Sequence, residues 1–270
     1  MCGRRWPQQN EWPFLDRRHS FIAVSEDHFA GEVAERYDSS LAEMADPAVV
    51  EPAVDFLLAR AGSGGALELG VGTGRIALPL HRRGVPVHGI DLSTAMTSKL
   101  REKPGGDAIG VTIGDFATTV VDGTFTLAYL VFNTIMNLTT QDEQVACFCN
   151  VARHLEPGGC FVIEVMVPEL QRLPHGETFR PGAITATTVS FDEYDVAGQG
   201  LISHHYGVAD GPLQLRSIPF RYVWPAELDL MARIAGMTLS ERWASWTREP
   251  FTGDSTNHVS VWTKTAVIGH

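Results

Sequence analysis

Three glycines, two carboxylates and a few histidines and asparagines are the residues here whose types and spacing can do chemistry. Gly70, Gly72 and Gly74 follow a short apolar run, Ala66-Leu67-Glu68-Leu69, and a helix-like run begins at Thr73. A strand, a tight turn and a helix start in that order let backbone reach a ligand with no Cβ in the way. The spacing is G-x-G-x-G, and a dinucleotide-binding turn has its third glycine where Arg75 stands. Asp91 closes the next apolar run, Pro86-Val87-His88-Gly89-Ile90, about 20 residues on, where a βαβ unit meets the hydroxyls of a ribose. A carboxylate accepts both O–H bonds at once. The same acid would also suit the N-terminus of a helix over 93–100.

Four segments in order, Glu68-Leu69-Gly70-Val71-Gly72-Thr73-Gly74, Gly89-Ile90-Asp91-Leu92-Ser93, Gly114-Asp115-Phe116 and Leu155-Glu156-Pro157-Gly158-Gly159, give the chain its signature. Over residues 64–167 it resembles the class I S-adenosylmethionine-dependent methyltransferases. The resemblance implies that Asp115 accepts from the adenine amino group and that Phe116 packs on the ring. Leu92 and Met96 would supply the other face of the adenine, and Val131 would border the cofactor. Glu68 and the backbone of Gly70, Gly72 and Gly74 would sit by the methionyl end. An N-terminal helix is implied over that pocket, with Tyr37 reaching the cofactor. The cofactor implied is S-adenosyl-L-methionine, its product S-adenosyl-L-homocysteine, with no metal.

Acceptor chemistry leaves a fainter trace. Asn133 ends a strand, and ligands of open α/β sheets collect at the carboxyl ends of strands. It is followed by no Pro-Pro-aromatic run of the nucleobase-amine enzymes, and it replaces the aspartate that metal-dependent catechol-type enzymes would want. His204 and His205 are neighbours on a strand, so alternation sends them to opposite faces and at most one meets the pocket. These three are the candidate catalytic residues. Glu164 and Glu169 also lie on the expected acceptor side.

These residues require a particular scaffold. Apolar runs near 66–71, 86–91, 108–114, 125–132 and 160–167 read as strands, and 74–83, 93–102 and 141–155 as helices. The alternation predicts an α/β, Rossmann-like, mostly parallel seven-stranded sheet with helices on both faces. Residues 117–124 are too few for a full crossover helix. His154 ends a helix, where the helix C-terminus favours a cation. From about 176 to 222 the pattern turns β-like, predicting an antiparallel insertion of three strands, near 183–191, 200–208 and 213–222, after the fifth strand. A helix over 225–236 and strands over 238–246 and 258–265 follow. Phe29, Val33, Tyr37 and Leu41 keep a helical period within 21–44, and 49–61 reads as a second helix; residues 1–20 give no element. The division expected is an N-terminal helical cap over 1–62, a cofactor-binding domain over 63–168 and 223–270, and a β-sheet lid over 169–222.

Of 270 residues, 44% are hydrophobic and 20% charged, which supplies a core for one large domain. A net charge of −11 without a basic patch argues against nucleic acid. No run approaches membrane-spanning length, and no signal-peptide core is visible, so a cytoplasmic protein is expected. The four cysteines, Cys2, Cys147, Cys149 and Cys160, lack zinc-site spacing. The function expected is in-line methyl transfer from S-adenosylmethionine to the nitrogen or oxygen of a small-molecule acceptor. The insertion resembles the lid of small-molecule methyltransferases, which implies a possible homodimer through it. A non-catalytic binding protein and an NAD(P)-dependent oxidoreductase are the alternatives.

Overall fold

The computed structural model describes residues 31, 34, 35, 37, 38, 42–207 and 214–265. Most of the helix expected over 21–44 and the first 30 residues, Cys2 included, lie outside them.

Asp46 opens α1 (Pro47–Ala61) by accepting from Ala48 N–H at 2.8 Å, with Pro47 as its first residue. Then come β1 (Ala66–Leu69), α2 (Ala77–Arg82), β2 (Val87–Asp91), α3 (Thr94–Glu102), β3 (Gly110–Ile113), β4 (Phe125–Leu130), α4 (Gln141–His154) and β5 (Leu155–Met166). Four strands of the insertion follow, β6 (Phe179–Ile184), β7 (Thr188–Asp195), β8 (Gly200–Gly207) and β9 (Gln214–Arg221). The chain returns through α5 (Pro225–Ile234), β10 (Met237–Trp243) and β11 (Asn257–Lys264).

The main sheet has the order β10-β11-β5-β4-β1-β2-β3. All neighbours are parallel except β11, which runs against β5 and β10. All four residues of β1 are buried, as a strand covered on both faces requires. One core, with Val54, Leu57, Leu80 and Leu100, lies under α1, α2 and α3. The other, with Phe148, Phe161, Trp262 and Met231, lies under α4 and α5. The order reverses at β1, which pairs with both β2 and β4, so the crevice of this fold opens at the carboxyl end of β1.

Residues 117–124 form no helix, as expected. Side chains of α4 hold that crossover instead. Asn150 Nδ2 donates to the carbonyls of Phe116 and Thr119 at 3.0 and 2.8 Å, and His154 Nε2 accepts from Val121 N–H at 3.0 Å. His154 is therefore an anchor of the crossover.

The insertion has four strands where three were expected. The run read as one strand over 183–191 turns back at residues 185–187. Thr185 Oγ1 accepts from Thr187 and Thr188 N–H at 3.3 and 3.0 Å, a hydroxyl-made turn without the usual glycine.

Candidate cofactor and acceptor site

Gly70, Gly72 and Gly74 all hold positive φ, at +72, +52 and +79°. At Gly74 a Cβ would also fall 2.3 Å from Leu100 Cδ1, so α3 packs against bare backbone there. Asp91 draws the turn over the end of β2. Its Oδ2 accepts from Gly72 N–H at 2.6 Å and its Oδ1 from Ser93 N–H at 2.8 Å. The N-cap of α3 is Ser93, whose hydroxyl accepts from Met96 N–H at 3.3 Å. Asp91 therefore shapes the turn, and the helix start is left to its neighbour.

Asp115 stands at the end of the adjacent strand. Asp91 pairs with Ile113 in the register of β2 and β3, and Gly114 N–H donates to the Asp91 carbonyl at 2.9 Å. The two acids thus flank one crevice, on strands about 4.8 Å apart. Asp115 Oδ1 accepts from Ala117 N–H at 2.8 Å. Phe116 and Met96 are buried, and Leu92 is exposed at the rim. Met96 Cε packs beneath the turn, 3.4 Å from where a Cβ of Gly72 would lie.

On the other side of the turn Glu68 is buried, and Tyr129 O–H donates to its Oε2 at 2.9 Å. Burial pushes its carboxyl up to about 8, against the pull of the Tyr129 hydrogen bond and of Arg75. A carboxyl whose folded value is raised contributes stability that is complete below its unfolded value, near 4.5, and lost as pH rises through about 8. The Glu68→Gln variant does not titrate. Its Tm should match the parent near pH 5 and exceed it increasingly toward pH 8, at about 1.4 kcal/mol per unit of pKa separation as an upper bound. Thermal melts across that range would show it, and a Tm difference flat in pH would refute it.

The N-terminal segment is latched onto the turn. Asp38 accepts from Thr73 Oγ1–H at 2.7 Å and pairs with Lys103 Nζ at 2.6 Å, while Lys103 also donates to the Thr73 carbonyl at 2.9 Å. Tyr37 is half-buried beside this latch. Burial raises its pKa, countered first by Arg75. No sequence signal marks Asp38 as a latch, because its partners lie 35 and 65 residues away.

Beyond β4, Val131 is buried, and Phe132 and Asn133 both take left-handed backbone, with φ of +56 and +61°. Asn133 Oδ1 accepts from Met166 N–H at 2.7 Å, which ties the end of β4 to the end of β5. Glu164 completes the tie. Its Oε2 accepts from Phe132 N–H at 3.0 Å and its Oε1 from Trp246 Nε1–H at 2.7 Å. Asn133 and Glu164, expected near the acceptor, stand at that end and hold its shape.

The family profile described as "Methyltransferase domain" matches residues 66–159. The cypemycin N-terminal methyltransferase of a Streptomyces species is 31% identical over 195 residues, which cover 70% of this chain and 78% of that protein. The chain belongs to the class I S-adenosylmethionine-dependent methyltransferases. Among solved structures, the CcbJ methyltransferase of Streptomyces caelestis is 38% identical, with a TM-score of 0.74 over 84% of this chain and 96% of that one. CalS10, an amino pentose methyltransferase of Micromonospora echinaspora solved with S-adenosylmethionine, shares the fold at 22% identity, with a TM-score of 0.60 over 87% of this chain and 96% of its own. The oxidoreductase and non-catalytic alternatives give way to this membership.

The methyltransferase has a turn of three positive-φ glycines, carboxylates at two adjoining strand ends, and apolar side chains between them. No group of three or more His, Cys, Asp or Glu among its described residues is placed to hold a metal. None of its described helices is long and apolar enough to cross a membrane.

Its β insertion is rooted in a buried polar knot. Arg221 donates to Gln144 Oε1 at 2.5 Å and to Glu227 Oε1 at 2.7 Å, while Gln144 Nε2 donates to the carbonyls of Ile135 and Leu138 at 3.3 and 3.1 Å. An ion pair from Arg180 to Glu169 ties β6 to the segment after β5. Register then separates the two histidines. Tyr194 pairs with Leu201, and both share a buried cluster with Ile135 and Met136 at the end of β4. Ser190, His205 and Arg216 stand opposite one another on that same domain-facing side of the sheet. His204 lies on the other side, 4.8 Å from the Phe191 ring, with Nδ1 2.8 Å from Ser217 Oγ and Nε2 3.3 Å from Glu193 Oε2. Burial and the Arg216 guanidinium lower the pKa of His205, whose Nε2 meets Ser203 Oγ at 3.1 Å.

Proposed function

We propose that this methyltransferase methylates an amine nitrogen on a small polar acceptor held between the ends of β4 and β5 and the domain-facing side of the lid. The observation that carries it is the polar row Ser190, Asp192, Ser203, His205 and Arg216, on the same face of the sheet as Tyr194 and Leu201, which pack with Ile135 and Met136 just beyond a strand end locked by Asn133 and Glu164. The named activity of the cypemycin relative, at an N-terminus, supports nitrogen over oxygen.

S-adenosylmethionine, gripped by Asp91, Asp115 and the glycine turn, with Tyr37, Glu68, Leu92, Met96, Phe116 and Val131 around it, supplies an already electrophilic methyl group. The chain's own part is alignment. Holding the nucleophile in line contributes on the order of 7–11 kcal/mol in favourable systems. An ammonium cannot attack until it loses a proton, and we assign that proton to His205. His204, facing away, has no part in this reading.

Incubation with trideuteromethyl-labelled cofactor and a panel of amino sugars and short peptides, read by mass spectrometry, tests the reading. Label should enter acceptors with a free amine and skip their N-acetyl forms. Transfer to the N-acetyl forms at an equal rate would overturn it. The His205→Gln variant should lose on the order of 100-fold in kcat near pH 7 and recover as pH approaches the amine's own pKa.

The side of the lid that carries His204 is apolar and exposed at Phe179, Val189 and Leu215, at 45, 44 and 55%. We assign it to a second copy of the chain. Sedimentation should give a dimer, and a monomer would remove this assignment. Three described cysteines, unpaired and buried or half-buried, suit a reducing compartment, and the cytoplasm is the compartment proposed.

A further inference from the structure

We propose that Arg75, the residue standing where a dinucleotide turn has its third glycine, binds the α-carboxylate of the cofactor's methionyl end. This rests on the cofactor reading above and extends it to a residue the resemblance does not assign.

Strand order sets the direction of the ligand. Adenine at Asp115 just past β3 and ribose at Asp91 on β2 leave only one way for the tail to run, across β1 toward β4. There the Arg75 guanidinium lies over the Phe132 ring, 4.7 Å from its centre, just past the end of β4. Stacking fixes the plane of the fork and leaves its edge for hydrogen bonds. A guanidinium has five N–H donors. Among the described residues only Met44 O accepts from it, at 3.2 Å, so most of the fork is uncommitted.

The other described cations near the turn are engaged. Lys103 is held by Asp38 and the Thr73 carbonyl, and Arg101 by the carbonyls of Gly106 and Ile109. Among the described residues, Arg75 is therefore the partly buried cation left at the end of the crevice where an amino-acid tail arrives. The carboxylate is the one anionic group of that tail, and a planar fork meets it with two parallel bonds. The departure from a dinucleotide turn then has a reason. A pyrophosphate must sit close over the helix start and needs glycine there. A ligand without phosphate leaves room for a side chain, and a carboxylate calls for this one.

Titration calorimetry with S-adenosylhomocysteine and its decarboxylated analogue, which lacks only the carboxylate, tests the assignment. The parent should bind both, the analogue more weakly. The Arg75→Leu variant should lose about 10- to 100-fold for S-adenosylhomocysteine, the range of a charge-assisted hydrogen bond, and less than about 3-fold for the analogue. Arg75→Lys, which keeps the charge without the fork, should lose an intermediate factor for the first ligand only, and serves if the leucine variant does not fold. Equal losses for both ligands would make Arg75 a prop of the turn and overturn the proposal, as would no loss for either. A parent that binds neither ligand would instead strike the cofactor reading.

Discussion

Replacing Asp91 by alanine is expected to raise the Kd for S-adenosylhomocysteine by at least about 100-fold, the sum of two losses of about 1.5–3 kcal/mol each. The first loss is within the protein. The carboxylate accepts from Gly72 N–H and Ser93 N–H, so its removal leaves the turn without the bonds that draw it over β2. The second is to the ligand. The ribose hydroxyls proposed to meet this carboxylate would lose an acceptor that can take both of their O–H bonds. Asparagine should be nearly as damaging. Its amide keeps one acceptor but turns an N–H₂ toward one of the two backbone N–H groups, donor against donor. Folding stability should fall by about 1–3 kcal/mol in both variants. Calorimetry and urea melts would measure the two parts separately. Affinity within 3-fold of the parent in the alanine variant would remove Asp91 from the cofactor site.

What the sequence made legible was what lies close along the chain. A strand, three glycines and a helix start occupy one short stretch, and the acids that end β2 and β3 are marked by the runs before them. Parity along a strand placed His204 and His205 on opposite faces. Parity alone could not say which face met the domain, because that depends on Tyr194, Leu201 and Ile135 packing together across distant segments. The fourth strand of the insertion went unread because a threonine hydroxyl makes its turn where glycine or asparagine is the usual mark. The Asp38 latch was hidden for the same reason as the α4 anchors of the short crossover: each is a contact between elements, with nothing local to announce it. Left-handed backbone at Phe132 left no trace either, since neither glycine nor asparagine stands there; only Asn133 beside it is of a turn-forming type.

That left-handed pair is why Glu164 should matter more than its place late in β5 suggests. A non-glycine residue in left-handed backbone costs of order 1–3 kcal/mol and persists only when its surroundings hold it. Two stand in succession here. The holding groups are Asn133 Oδ1 on Met166 N–H, the Glu164 carbonyl on Asn133 N–H at 3.3 Å, and the Glu164 carboxylate on Phe132 N–H. The same carboxylate anchors Trp246, whose ring meets Phe56 of α1 edge to face at 5.3 Å. Glu164→Ala removes the acceptor of both N–H groups at once, and stability should fall by about 2–4 kcal/mol, the sum for two lost hydrogen bonds. The larger effect should be on turnover. If the end of β4 relaxes toward extended backbone, the acceptor platform shifts while the crevice at β2 and β3 does not. A misplacement of about 1 Å can cost 100-fold in rate, so kcat should fall on that order while the Kd for S-adenosylhomocysteine stays within about 5-fold. Glu164→Gln should lie between, since its amide satisfies one N–H and opposes the other. Single-turnover methyl transfer beside calorimetry would separate the two effects. Equal losses in rate and cofactor affinity would mean that Glu164 supports the whole crevice, and unchanged turnover would show that the left-handed pair holds without it.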